Sequence, residues 1–164
     1  MLKVAIIMGS RSDLDKAKPA LDTLKSFGVG TELRVLSAHR TPDEAIEFAR
    51  SAKANGFGAI IAVAGKAAHL GGVLAAATTL PVVALPVSTS FLDGLDSVLS
   101  ILPMPSGIPV AVMGVNGGVN AALFCVRILA ATDSGLTEKY EKYVADMRAK
   151  TLEDDKALAA EYNV

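Results

Sequence analysis

Five short runs of apolar, largely β-branched residues recur along this chain, each followed by a loop and then by helical periodicity, and this alternation limits the fold more than any other feature. The first run, Lys3 to Met8, leads through Gly9 to Leu14, Ala17, Leu21 and Leu24 at helical spacing. Glu32 to Leu36 is the second strand. After it, Thr41-Pro42-Asp43-Glu44 signals a helix start: Thr41 as the cap, Pro42 in the first turn, and Glu44 completing a capping box. Ala59 to Ala64 is the third strand and His69 to Thr78 the next helix. Pro81 to Leu85 is the fourth strand, Phe91 to Leu102 a helix, and Pro109 to Met113 the fifth strand. Strands alternating with helices imply a parallel sheet covered on both faces and joined by right-handed crossovers. A chain of 164 residues supplies one such domain, 1–164.

The helix from about Val119 to Ala131 is apolar on nearly every side, with Arg127 its only charge, which predicts burial all round. Between Gly56 and Thr132 the only charged residues are Lys66, Asp93, Asp96 and Arg127, too few for the outer face of a soluble monomer. A homo-oligomer is therefore expected. Beyond Asp133 the sequence becomes charged, and Leu136, Tyr140, Tyr143, Val144 and Met147 form one stripe. Residues 134–164 are expected to be an amphipathic helical extension packing on a neighbouring subunit.

Other classes are disfavoured by composition. Sixteen basic and 17 acidic residues leave a net charge of -1 without a basic stripe, which argues against a nucleic-acid partner and for a small molecule. The uncharged stretch from Leu70 to Val87 has the length of a membrane span, yet Gly71, Gly72, Pro81 and Pro86 divide it into helix, turn and strand. The start MLKVAIIMGSRSD has too short an apolar run for a signal peptide. The single Cys125 excludes an intramolecular disulfide and reads as a small core hydrophobe, consistent with a reducing, cytoplasmic setting.

In open parallel sheets ligands bind beyond the carboxyl ends of the strands, which singles out the loops after the first three. They are Gly9-Ser10-Arg11-Ser12-Asp13, Ser37-Ala38-His39-Arg40-Thr41 and Gly65-Lys66-Ala67-Ala68-His69, and they contain both histidines of the chain. In the first loop, amide hydrogens, the helix dipole and the hydroxyls of Ser10 and Ser12 suit a phosphate; alternatively Ser12 only caps the helix. Asp13 suits either the helix dipole or a pair of ribose hydroxyls. In the second, Arg40 is built for bidentate phosphate contact and His39 for proton exchange near neutral pH, against the alternative of a solvated Arg and a turn His. In the third, Gly65, Ala67 and Ala68 remove bulk so that backbone can approach a flat ligand, while a lone His69 at a helix start is more often structural. Two histidines, both at strand carboxyl ends and both beside a cation, weigh against coincidence. His39, His69 and Cys125 are far apart in sequence and lack ligand spacing, so no metal site is expected. The loop Gly114 to Asn120 either lines the pocket or permits tight subunit packing.

Together the motifs GSRSD, SAHRTP, GKAAHLGG and MPSGIPV resemble the PurE family of purine biosynthesis over nearly the whole chain. The resemblance implies a flavodoxin-like three-layer α/β/α sandwich assembled as an octamer with active sites at subunit junctions. It implies conversion of N5-carboxyaminoimidazole ribonucleotide to 4-carboxyaminoimidazole ribonucleotide without metal, biotin or ATP. Residue by residue, Ser10 and Asp13 match positions holding phosphate and ribose, and Ser37 and Arg40 match further phosphate contacts. His39 matches the general acid and base, and His69 the histidine of the family's GGAAHLPG loop, placing Gly65, Lys66, Ala68 and Leu70 at the substrate. Lys66 replaces the second glycine of that loop and Gly71 its proline. A basic residue at this point is similar to the class that carboxylates aminoimidazole ribonucleotide with carbon dioxide directly, whose loop reads more like AGRSNALSG; Ala-Ala-His-Leu and SAHRT favour the mutase class. A related carboxylase of nickel-pincer cofactor synthesis and a non-catalytic nucleotide-binding module are the remaining alternatives.

Overall fold

The computed structural model describes residues 2–163. Strand β1 (Lys3–Met8) runs into a 3-10 turn at Arg11–Asp13 and helix α1 (Leu14–Ser26), followed by β2 (Thr31–Val35), α2 (Pro42–Ala52) and β3 (Phe57–Ala64). Then come α3 (Leu70–Ala77), β4 (Val82–Pro86), α4 (Leu95–Ile101), β5 (Ala111–Val112), α5 (Gly118–Ala130) and α6 (Ser134–Tyr162). The five strands are parallel in the order β2-β1-β3-β4-β5. This is the doubly wound, flavodoxin-like order, whose direction of winding reverses between β1 and β3.

Side-chain alternation sorts the strands onto two cores. Val4, Ile6 and Met8 of β1 face α1 and α5, where Ala17, Ala20, Leu24, Ala121, Ala122 and Cys125 meet them. Ala5 and Ile7 face the opposite layer, against Ala45, Ala49 and Ala52 of α2 and Leu70 and Leu74 of α3. Alanine at these contacts brings the helices close to the sheet, which is how a chain without Trp fills its interior. Lys3 pairs with Phe57 but Val4 pairs with Ala59, so Gly58 is an extra residue, and the resulting shift puts Phe57 on the α2 side against Phe48, 5.5 Å between ring centroids. Where α5 crosses α1, a Cβ on Gly118 would lie 3.1 Å from the Ala20 amide nitrogen and 3.2 Å from the Lys16 carbonyl oxygen.

Several local expectations are corrected. The helix expected from Phe91 begins only at Leu95, because Asp93 (φ 51°) and Gly94 (φ 97°) form a left-handed turn that helical backbone cannot enter. Strand β5 is confined to Ala111–Val112 at the sheet edge, after Pro109, which has no N–H to give to a ladder. Thr41 does sit at the cap position of α2, but no capping box forms: its hydroxyl turns back, accepting from the Ser37 amide at 2.8 Å and donating to the Ser37 carbonyl at 3.2 Å. Helix α5 is not buried all round within one chain, since Val119 and Phe124 are exposed.

Helix α6 starts at a true cap, Asp133, whose carboxylate accepts from the Leu136 amide at 3.1 Å. Its first turns are anchored by fully buried Leu136, by Tyr140 and Tyr143 packed on Phe27, and by Lys139, which donates to the Phe27 carbonyl at 2.9 Å. Beyond Tyr143 the helix leaves the body of the chain, exposing Val144, Met147, Leu152 and Leu158. No helix among the described residues is long and apolar enough to cross a membrane.

Candidate active site

The carboxyl ends of β1, β2, β3 and β4 converge on a cavity of about 610 Å³ at the point where the winding reverses, within the size range of small-molecule pockets. Its walls include Ser10, Ser12 and Asp13 from the first loop, Ser37, His39 and Arg40 from the second, and Gly65, Lys66 and Leu70 from the third.

Each loop is shaped by its own hydroxyls. Ser10, extended at φ -152°, caps the 3-10 turn: its Oγ accepts from the Ser12 amide at 3.3 Å and from the Ser12 hydroxyl at 2.9 Å. Ser12 is thus not the cap of α1; Asp13 occupies that position, with no side-chain capping bond. In the second loop, nearly buried Ser37 accepts from the amides of His39 (3.3 Å) and Arg40 (3.2 Å) and from Arg40 Nε (3.4 Å). Ser37 therefore organises its loop with its lone pairs. Arg40 also donates from Nη2 to the Gly9 carbonyl at 2.6 Å, joining the loops after β1 and β2 across the floor of the cavity.

Partial burial raises the Asp13 carboxyl above its ordinary value of 3.8, opposed by hydrogen bonding with the Ser10 backbone and Ser12 side chain and by the charge of Arg40. An acid held this way, beside hydroxyls and a guanidinium, is suited to accept from vicinal sugar hydroxyls while the neighbouring donors hold an anion.

The two histidines, remote in sequence, meet in space: His39 Nε2 lies 3.0 Å from His69 Nδ1, with the rings edge to face at 81°. Such a contact needs one N–H and one lone pair, so the pair holds a proton between them and can pass it on. Sequence distance was no ground for separating these two residues. Cys125, by contrast, is buried in the α1–α5 core, where desolvation pushes its thiol up to about 12, and among the described residues no group of three or more ligating side chains comes together.

The third loop is the tightest. A Cβ on Gly65 would come 2.8 Å from Val87 Cγ2, so only glycine lets β4 approach here. Lys66 adopts φ 60°, a left-handed conformation that glycine takes without cost and lysine does not. Ala68 is buried and, like His69, lies outside the cavity wall; His69 touches the wall through His39. Gly71 packs where its Cβ would lie 2.8 Å from Ile101 Cδ1, which accounts for a residue without a side chain at that point of α3.

Five wall residues escaped the sequence reading: Ala64, Lys16, Val87, Ser88 and Thr89. The carboxyl-end rule applies equally to β4 and would have found the last three. The glycine-rich loop contributes no residue to the cavity wall; it supports the wall from behind and packs within the chain. Asn116 (φ 57°) accepts from the Ser88 amide and donates to its hydroxyl, both at 3.0 Å, bracing the cavity wall, and Gly118 packs on α1.

Comparison with known proteins bears on the family and the fold. A family profile described as AIR carboxylase matches residues 3–150. The N5-carboxyaminoimidazole ribonucleotide mutase of Pyrococcus horikoshii is 48% identical over 94% of this chain and 88% of its own. The phosphoribosylaminoimidazole carboxylase of Saccharomyces cerevisiae is 49% identical over 91% of this chain but only 26% of its own, much longer, sequence. Among solved structures, PurE of Treponema denticola superposes with a TM-score of 0.87 at 32% identity, covering 94% of this chain and 97% of that one. With GSRSD, SAHRTP and GKAAHLGG following the first three strands and a family profile spanning nearly its whole length, this chain belongs to the AIR carboxylase family.

Proposed function

We propose that this chain is an isomerase of purine biosynthesis that converts N5-carboxyaminoimidazole ribonucleotide to 4-carboxy-5-aminoimidazole ribonucleotide. The observation that carries the reading is the His39–His69 pair, 3.0 Å apart, beside a cavity walled by phosphate- and ribose-type donors. The substrate phosphate is held by Ser10, Ser12, Ser37 and Arg40, and the ribose by Asp13. Gly65, Lys66, Ala68 and Leu70 belong to the loop and helix start that close on the base. The carbon–nitrogen bond of the N-carboxylate breaks, releasing carbon dioxide, which the ring carbon attacks from within the same site. That carbon then bears both its hydrogen and the new carboxylate. His39 removes the proton and returns one to the exocyclic nitrogen, with His69 fixing its ring and sharing the proton. A pocket lined by small residues around Ala67 excludes the water that would otherwise hydrate carbon dioxide.

A second reading is direct carboxylation of aminoimidazole ribonucleotide, favoured by one observation: Lys66 brings a cation to the cavity wall where the mutase loop has glycine. Purified protein offered N5-carboxyaminoimidazole ribonucleotide in carbon-dioxide-depleted buffer, and separately aminoimidazole ribonucleotide with bicarbonate, separates the two. Fast conversion of the first alone is the expected result. Preference for the second makes the chain a carboxylase, and turnover of neither leaves a nucleotide-binding module.

The exposed apolar residues on α4, α5 and α6 support a homo-oligomer, read as an octamer around a single domain, 1–164; of the segment 134–164, the start packs on Phe27 of its own chain and only the part beyond Tyr143 is left to pack on neighbouring subunits. Cytoplasmic localisation accompanies this reading, since the chemistry belongs to nucleotide metabolism.

A further inference from the structure

Helix α4 contributes no side chain to the cavity wall, yet two of its serines hold the third loop from behind. Fully buried Ser97 accepts from the Lys66 amide at 2.9 Å and donates to the Val87 carbonyl at 3.0 Å. One turn on, Ser100 accepts from the Ala68 amide at 2.9 Å, and its hydrogen is shared between the Lys66 carbonyl (3.1 Å) and the Ser97 carbonyl (2.9 Å). Residues three apart on a helix share a face, so the two hydroxyls act as one clamp, more than 30 residues from the loop they grip.

The clamp has a specific task. Lys66 sits at φ 60°, a conformation that residues with a Cβ leave readily unless the surroundings hold them in it. The amide of Lys66 itself and, two residues on, that of Ala68 are bound by serine hydroxyls, and the His69 amide closes on the Ala67 carbonyl at 2.8 Å directly after. The direction of His69, and so its 3.0 Å contact with His39, follows from the shape of this turn. Through Val87, Ser97 also ties the third loop to the fourth.

We propose that Ser97 and Ser100 are positioning residues that set the 65–69 loop so that His69 meets His39. This rests on the reading of the histidine pair as the working pair of the site. Ser100 is partly exposed and gives the cleaner test, because threonine and valine have nearly the same shape and differ in the hydroxyl. The Ser100→Val enzyme is expected to lose about 10–100-fold in kcat, the size of loss that follows from a misplaced reacting group, with KM for N5-carboxyaminoimidazole ribonucleotide little changed, and Ser100→Thr to retain wild-type kcat. Ser97→Ala should behave like Ser100→Val. Proton NMR of the imidazole N–H shared by His39 and His69 gives a readout without turnover: the resonance should be present in wild type and Ser100→Thr and lost in Ser100→Val.

Equal kcat in the threonine and valine enzymes, or a change confined to KM, would overturn the clamp while leaving the proposed reaction intact. If wild type turns over neither candidate substrate, the catalytic reading fails, and the NMR comparison still decides the clamp: an imidazole resonance that survives in Ser100→Val refutes it.

Discussion

Asp13 shows how the site trades stability for binding. Its carboxyl titrates above the ordinary 3.8, so the ionised side chain costs folding free energy once pH rises past that value, and costs nothing at pH low enough to protonate it in both states. Asp13→Asn should therefore raise Tm at neutral pH, with the gain fading as pH falls towards 3.8 and gone below it, while raising KM for the ribonucleotide. Thermal melts across pH check the first part and steady-state kinetics the second. At this scale the sequence was legible wherever a residue's chemistry and its strand-end position coincide: Ser10, Asp13, Ser37, His39, Arg40 and Lys66 all reach one cavity. It was opaque where a role depends on a contact across the fold. Nothing in the chain marks Ser97 and Ser100 as partners of Lys66 and Ala68, and nothing local distinguishes a histidine in the wall from one standing behind it.

The elements were legible in type and less so at their edges, for identifiable reasons. All five strands and their helices were readable because buried parallel strands and alanine-striped helices have different periods. Helix α4 was read too long because Asp93, which has no glycine-like signature, adopts a left-handed conformation ahead of Gly94. The capping box at Thr41 fails because Ser37 competes for the same hydroxyl. Contact between α1 and α5 matters most for function, since α1 carries the first loop. A Cβ on Gly118 would press on main-chain atoms of α1, which have no rotamer to give way, so Gly118→Val should destabilise the chain by about 1–3 kcal/mol or more. Chemical denaturation measures this; an unchanged midpoint would mean that α5 shifts freely against α1.

For the whole molecule, surface area is the informative quantity. A compact monomer of 16.9 kDa exposes about 7,700 Å², whereas this chain exposes 9158 Å². The excess fits α6 projecting beyond Tyr143 and the apolar surface of Phe91, Leu92, Leu95, Leu99 and Leu102 around α4. Association of copies would cover both. Paired Leu95→Asp and Leu99→Asp substitutions are expected to shift the protein to smaller species in analytical ultracentrifugation; an unaltered sedimentation profile would place the interface elsewhere. The expectation of partners rests on the scarcity of charge between Gly56 and Thr132. It says nothing of their arrangement, because an exposed leucine carries no information about which face of another copy will meet it.

The central claim is that the substrate's own carboxyl group moves within a closed site served by His39. N5-carboxyaminoimidazole ribonucleotide labelled with carbon-13 in the carboxylate, turned over in buffer holding unlabelled bicarbonate, tests this most directly, with His39→Asn as the companion, expected to bind nucleotide and to lose about 10²–10⁴-fold in turnover. Retention of the label in the 4-carboxy product, formed by wild type and not at that rate by the variant, is the predicted result. Loss of the label to bulk bicarbonate, or undiminished turnover by His39→Asn, would contradict it.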